Sequence, residues 1–168
     1  MMLGVVFAFA LAVLRPAMAA DDWLKTDIHR AAWYGLMPEL MAEIEKGVDV
    51  NVQDDLGRTP LHFAAYKGRI STTPVEDRKP GEPDPGNYKT AEMVEALLEA
   101  GADVNILDND GSNALMESVP NGNADIVQLL LNAGAKRDVE NRHGDTALSE
   151  SQRRKHVAIE ELLLKDEL

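Results

Sequence analysis

Four histidines, His29, His62, His143 and His156, are the side chains of this 168-residue chain that exchange protons near neutral pH. Catalysis would need one of them beside a nucleophile or a carboxylate at a recognisable spacing. The chain has no HExxH, GxSxG or phosphate-cradling glycine loop, and neither His143 nor His156 has a partner in the sequence. It also has no cysteine, which removes thiol catalysis, disulfides and thiolate metal sites together. One stretch approaches a calcium loop. In ILDNDGSNALME, Asp108, Asp110, Gly111 and Glu117 fall at positions three, five, six and twelve, but the first position, which should be acidic, is Ile106. The other carboxylates, among 29 acids, read as solvated surface. No catalytic, metal or cofactor site is therefore expected. A net charge of −12 also argues against a broad grip on nucleic acid or an anionic membrane.

The elements that carry these residues repeat. TDIHRAAWYG (26–35) overlays TPLHFAAYKG (59–68), with Thr26 on Thr59, His29 on His62, Ala31-Ala32 on Ala64-Ala65 and Gly35 on Gly68. GVDVN (47–51) recurs as GADVN (101–105), and weaker copies of the first motif follow in GSNALMESVPNG (111–122) and GDTALSESQRRK (144–155). Each copy leads into an apolar helical stretch: LMAEI, MVEALL, IVQLLL and IEELLL. The steps from Thr26 to Thr59 and from Asn113 to Thr146 are both 33 residues. A fixed period of this size marks a repeat architecture. With aromatics at only 5%, the core must come from Leu, Ala, Val, Ile and Met, which suits stacked helices.

The TPLHxAA motif, the GADVN turn and the period together resemble the ankyrin repeat over nearly all of residues 21–168. The resemblance implies an all-α solenoid of helix–turn–helix pairs joined by short β-hairpin turns. Its units would be 21–53, 54–107, 108–140 and 141–168. Thr59 is expected to cap its helix and Pro60 to open the first turn. Gly68 and Gly101 should end helices in a left-handed conformation, and Leu97, Leu98, Leu129 and Leu130 should continue the core between layers. His29 and His62 are implied to be structural, bonding the backbone of the neighbouring turn. The third unit has Asn113-Ala114-Leu115-Met116 in place of TPLH. The fourth keeps Thr146 and Leu148 but has Ser149 and Gln152 at inward columns and Glu160 in its second helix, as a capping unit would.

The second unit is too long. An insertion, RISTTPVEDRKPGEPDPGNYK at 69–89, falls between its helices and carries four prolines and two glycines. It is expected as an exposed loop, either a tolerated lengthening or a binding loop. Asp77, Asp84 and Tyr88 would be the residues of an enzymatic site there.

The family binds proteins through hairpin tips and the exposed side of its first helices. In this chain those columns hold Trp23, Lys25, Trp33 and Tyr34, then Asp55, Leu56, Arg58, Tyr66 and Lys67. The third unit gives Asn109, Asp110, Ser112, Pro120 and Asn121, and the fourth Arg142, His143, Asp145, Arg153 and Arg154. The protein-binding set expected from these is Trp33, Tyr34, Arg58, Tyr66, Lys67, Asn109, Asp110, Arg142, Arg153 and Arg154. Trp, Tyr and Arg most often carry binding energy. Trp23 and Trp33 have a second reading, as shields of the first unit's outer face. Tyr66 is expected to be exposed.

Both ends resemble addresses, the first expected to be one and the last expected to be the coincidental end of a helix. Residues 1–20 read as a signal peptide, with an apolar run from Leu3 to Leu14 and a small-x-small cleavage pattern at Ala17-Met18-Ala19. The alternatives are a short amphiphilic helix on a cytoplasmic protein and a mis-assigned start codon. The chain ends in Lys165-Asp166-Glu167-Leu168, a motif read in eukaryotes as retention in the endoplasmic reticulum. The repeat register places it in the last turn of the final helix, and the absence of cysteine favours a periplasm over a disulfide-rich lumen. The expectation is a monomeric, non-enzymatic protein-binding module, exported to the periplasm or secreted. The alternatives are an immunity protein holding one exported toxin or enzyme, and an enzyme with its site at 69–89.

Overall fold

The computed structural model describes residues 26–66 and 90–165. Among these residues it contains eight helices and no strand: α1 (Asp27–Tyr34), α2 (Met37–Glu45), α3 (Pro60–Tyr66), α4 (Thr90–Glu99), α5 (Ala114–Ser118), α6 (Ala124–Asn132), α7 (Ala147–Arg154) and α8 (Val157–Leu164). They pair as α1 with α2, α3 with α4, α5 with α6 and α7 with α8. The first helices stack in the order α1, α3, α5, α7, and the second helices in the order α2, α4, α6, α8. The result is two helical layers sharing one apolar core. The signal segment 1–20, Trp23, Lys25, Lys67, Gly68, the insertion 69–89 and Asp166–Leu168 lie outside the described residues.

The residue types explain the close stacking. Ala31, Ala32, Ala64 and Ala65 are essentially inaccessible to solvent, so adjacent first helices approach without large side chains between them. Leu61, Phe63, Leu97, Leu115, Leu130 and Ile159 fill the space between the layers. Leu98 and Leu129 are half-buried against this core. Each fully buried Leu, Ile or Phe contributes about 2 kcal/mol. Because every pair buries its apolar surface against its neighbours, no pair is a core by itself.

Helix ends follow local chemistry. Pro60 opens α3 at a position that needs no N–H donor. Gly101 (φ 89°) closes α4, with the Gly101 N–H bonded to the Leu98 carbonyl and the Ala102 N–H to the Leu97 carbonyl. The capping expectation for Thr59 gives way to another bond. Its hydroxyl meets Nδ1 of His62 at 2.8 Å instead of a helix N–H. True side-chain caps occur where the motif has changed: Asn113 accepts from the Met116 N–H, and Thr146 forms a capping box with Ser149. Lys155 ends α7 with φ 62°, the one non-glycine in a left-handed conformation among the described residues.

Two further expectations are corrected. Gln152, placed inward by the register, is exposed and bonds Glu160. Among the described residues α7 stacks on another first helix, α5, on one side only, so the column that buries Ala65 reaches water here. The final helix ends at Leu164, and Lys165 is extended (φ −64°, ψ 117°), so the terminal tetrapeptide begins beyond the helix and not within its last turn.

Candidate functional site

The hairpin tips that lead into the first helices are built three times on one plan. Asp54 Oδ1 accepts the N–H groups of Leu56 and Arg58 at 2.9 and 2.8 Å. Asp108 Oδ1 does so for Asp110 and Ser112, and Asn141 Oδ1 for His143 and Asp145. Each hairpin is closed by one cross-strand backbone bond, Asp54 to Arg58, Asp108 to Ser112 and Asn141 to Asp145, over one turn bond, Gly57 to Asp54, Gly111 to Asp108 and Gly144 to Asn141. One more joins it to the next, with the Asn109 N–H donating to the Leu56 carbonyl at 2.8 Å and the Arg142 N–H to the Asp110 carbonyl at 2.9 Å. A single rung per hairpin explains why the expected β-hairpins contain no strand. The near-miss calcium loop is thereby accounted for, because the Asp108 carboxylate is occupied by its own backbone. The described residues contain no His, Cys, Asp and Glu cluster able to hold a metal.

The stacked tips need Gly57. A side chain there would place its Cβ 2.8 Å from Asn109 Oδ1 and 2.9 Å from the Asn109 nitrogen. Behind the tips, His62 is buried, with Nδ1 accepting from the Thr59 N–H and hydroxyl and Nε2 donating to the Ser112 carbonyl at 3.2 Å. His29 repeats this arrangement, bonding Thr26 and the carbonyls of Val52 and Arg58. Burial lowers the pKa of both rings against the raising effect of these backbone carbonyls. Both are neutral struts between neighbouring units, as the sequence predicts.

The first-helix face carries a hollow of about 200 Å³ lined by Trp33, Arg58, His62, Phe63, Tyr66 and Glu117. Trp33 and Tyr66 stack nearly parallel, with ring centroids 6.1 Å apart and planes at 9°. Trp33 also meets Phe63 edge to face at 5.7 Å. Tyr66 is therefore half-buried, not exposed as expected. Trp33 joins the first unit to the second while still lining the hollow. Arg58 is held by Asp54 through Nε and Nη2, at 3.0 and 2.8 Å, and its guanidinium lies 4.5 Å from the Phe63 ring centre. On the opposite side stands Glu117, whose carboxyl is pushed up to about 7, first by burial and then by the charge of Asp108.

Glu117 is the residue the binding-face columns missed. Its signal was legible in the repeat, because Glu117 stands in the column of Arg30, Phe63 and Glu150. An acid where the preceding unit buries a phenyl ring is a conflict that local stability does not explain.

The other expected residues divide. Tyr34 is half-buried and packs against the core. Asn109 and Asp110 are exposed at a tip, but Asn109 spends its side-chain amide on the Asp55 carbonyl. Arg142 and His143 are exposed at the next tip. Ser112 is buried, so it leaves the face. Asn121 donates to the Tyr66 carbonyl, which binds the third unit to the second. Arg153 pairs with Asp145 at 3.0 Å and with Glu150, and Arg154 also reaches Glu150. The basic end is thus partly neutralised from within.

Against known proteins, the family model described as "Ankyrin repeats (many copies)" matches residues 28–74, and "Ankyrin repeats (3 copies)" matches 86–168. The chain belongs to the ankyrin-repeat family. It is 34% identical over 104 residues to neurogenic locus notch homolog protein 1 of Xenopus laevis, a match covering 54% of this chain and 4% of that protein. It is 31% identical over 93 residues to the ankyrin repeat protein nuc-2 of Neurospora crassa, covering 55% of this chain and 7% of that protein. A shorter match, 43% over 53 residues, is to acyl-CoA-binding domain-containing protein 1 of Arabidopsis thaliana, covering 31% of this chain and 16% of that protein. The chain thus spans only a small part of the length of these relatives. Ankyrin repeats are a non-enzymatic interaction fold and bind protein partners. No helix among the described residues is long and apolar enough to cross a membrane.

Proposed function

We propose that this ankyrin stack docks one protein partner on the face formed by the hairpin tips and by α1, α3, α5 and α7. The observation that carries the reading is the aromatic and carboxylate hollow at Trp33, Tyr66 and Glu117, mounted on rigid helices beside the exposed tips of Asn109 and Arg142. Such a site offers anchoring surface and fixed polar groups, the two things a binding hot spot needs. None of the described residues lining it pairs a nucleophile with a base.

The working compartment is the periplasm or the extracellular space, on the strength of the Leu3–Leu14 run and the Ala17-Met18-Ala19 pattern. Within that reading the chain acts as a monomeric guardian of one exported enzyme or toxin. Photo-crosslinking from Tyr66 and Arg142 in cells, followed by mass spectrometry, tests the docking face. Cross-links from those two positions to one partner are expected, with none from Glu95 or Gln128 on the second helices. Cross-links from the second helices alone would refute the assignment. Cell fractionation tests the compartment.

A further inference from the structure

Two carboxylates occupy one column of the repeat and are treated differently. Glu150 on α7 is buried and bonded by both Arg153 and Arg154. Glu117 on α5 faces the hollow, and its carboxylate has no hydrogen bond or ion pair among the described residues. The one cation beside it among the described residues, Arg58, is engaged by Asp54 through two nitrogens. The remaining groups facing it do not compensate. Asp108 and Asp110 on the adjacent hairpin repel it. His62 on α3 is held neutral by burial. On the α7 side, Glu117 also borders a second hollow with Asp145, Glu150 and Arg153, where the arginine is already paired. Among the described residues, the chain therefore supplies a counter-cation for one acid of the column and leaves the other open.

We infer that the hollow at Trp33, Tyr66 and Glu117 receives one lysine or arginine side chain from a basic segment of the partner protein. The inference rests on the docking reading above and names its chemistry. The aliphatic stem would lie on the Trp33 and Tyr66 rings, which attract a cation as well as methylene groups. The head group would reach Glu117, giving a charge-assisted hydrogen bond in a half-buried setting. The volume holds one long side chain and excludes a folded element. The chain's net charge of −12 steers a basic segment toward it.

The test titrates the full chain, 15N-labelled, with short peptides carrying one central lysine or arginine in a neutral sequence. Matched peptides carry norleucine or citrulline at that position. The cationic peptides are expected to shift the Trp33 indole and Glu117 amide signals and to bind about tenfold or more tightly than their neutral partners. Glu117→Gln should erase this preference, while Glu161→Gln, on the exposed side of α8, should keep it. Circular dichroism confirms that both variants are folded. The inference is overturned if neutral and cationic peptides bind equally, if the preference survives Glu117→Gln, or if no cationic peptide shifts those signals. None of these outcomes touches the docking reading, which falls only if partner cross-links map away from the first-helix face.

Discussion

Glu117→Gln should make this protein more stable, and only above a defined pH. In the folded chain the Glu117 carboxyl is raised from its ordinary 4.5 to about 7, chiefly because it is withdrawn from water and secondarily because Asp108 repels its charged form. A raised carboxyl favours folding while it is protonated, and that advantage is lost as pH rises through the folded value. At pH 8 the ionised group therefore destabilises the fold by an upper bound of about 3 kcal/mol. Glu117 keeps partial contact with water, so screening reduces this to roughly 1–3 kcal/mol. Glutamine has the same shape and no charge. It should recover that amount at pH 8 and almost nothing at pH 4.5. With a urea slope of about 1–3 kcal/mol per molar, the unfolding midpoint should move up by roughly 1 M at the higher pH. Urea titrations of both chains at several pH values, followed by circular dichroism, provide the comparison. A midpoint shift that is the same at both pH values, or a variant weaker than the wild type at pH 8, would refute the argument. It would mean that Glu117 has an internal partner and is not an open acceptor.

Four further outcomes are expected. His62→Ala should cost about 2–4 kcal/mol in thermal or chemical denaturation, because it leaves the Ser112 carbonyl and Thr59 without their bonds in a dry site, whereas exposed His143→Ala should stay within about 0.5 kcal/mol. Since burial lowers the pKa of both His29 and His62, their contribution should be complete above the ordinary value of 6.5 and decline as pH falls below it, the reverse of the Glu117 slope; a stability profile of the Glu117→Gln variant isolates this acid limb. Gly57→Ala should be worse than Gly101→Ala by about 1 kcal/mol or more, because both have positive φ but only the first drives a methyl group into Asn109, while Lys155→Gly should gain about 1 kcal/mol by relieving a left-handed lysine; equal midpoints for the two alanine variants would contradict the close approach of the tips.

The fold was legible because its signals are periodic and local. Thr59-Pro60-Leu61-His62, the paired alanines and the glycines after α2 and α4 each specify a backbone conformation or a spacing, and the 33-residue step sets the register. The structural role of His29 and His62 was implied by the ankyrin resemblance, which their shared column carries. The binding face was legible as a set of columns but not as a set of free side chains. Whether Tyr66 points to water depends on Trp33, a full period earlier, and sequence position does not show that the two rings stack. In the same way Arg153 and Arg154 looked like available cations until Glu150 was found beneath them. Glu117 was overlooked for the opposite reason. It stands at the twelfth position of the calcium-loop pattern that Ile106 rules out, and it lies outside the columns from which the binding face is read.

The single backbone bonds that join one hairpin tip to the next have a mechanical consequence. Asn109 to Leu56 and Arg142 to Asp110 lie in series along the stack, each the one backbone–backbone bond between its two tips among the described residues, with side-chain bonds such as Asn109 to Asp55 and His62 to Ser112 beside them. A load applied along the stack meets these bonds one at a time and not as a sheared array. Under tension the protein should peel unit by unit at low force and reseat as each pair closes again, with the fully buried Leu97 and Leu130 supplying the restoring pull. A chain built this way behaves as a soft spring whose compliance is set by hydrophobic contact, so its face can bow to fit a partner without any helix unfolding.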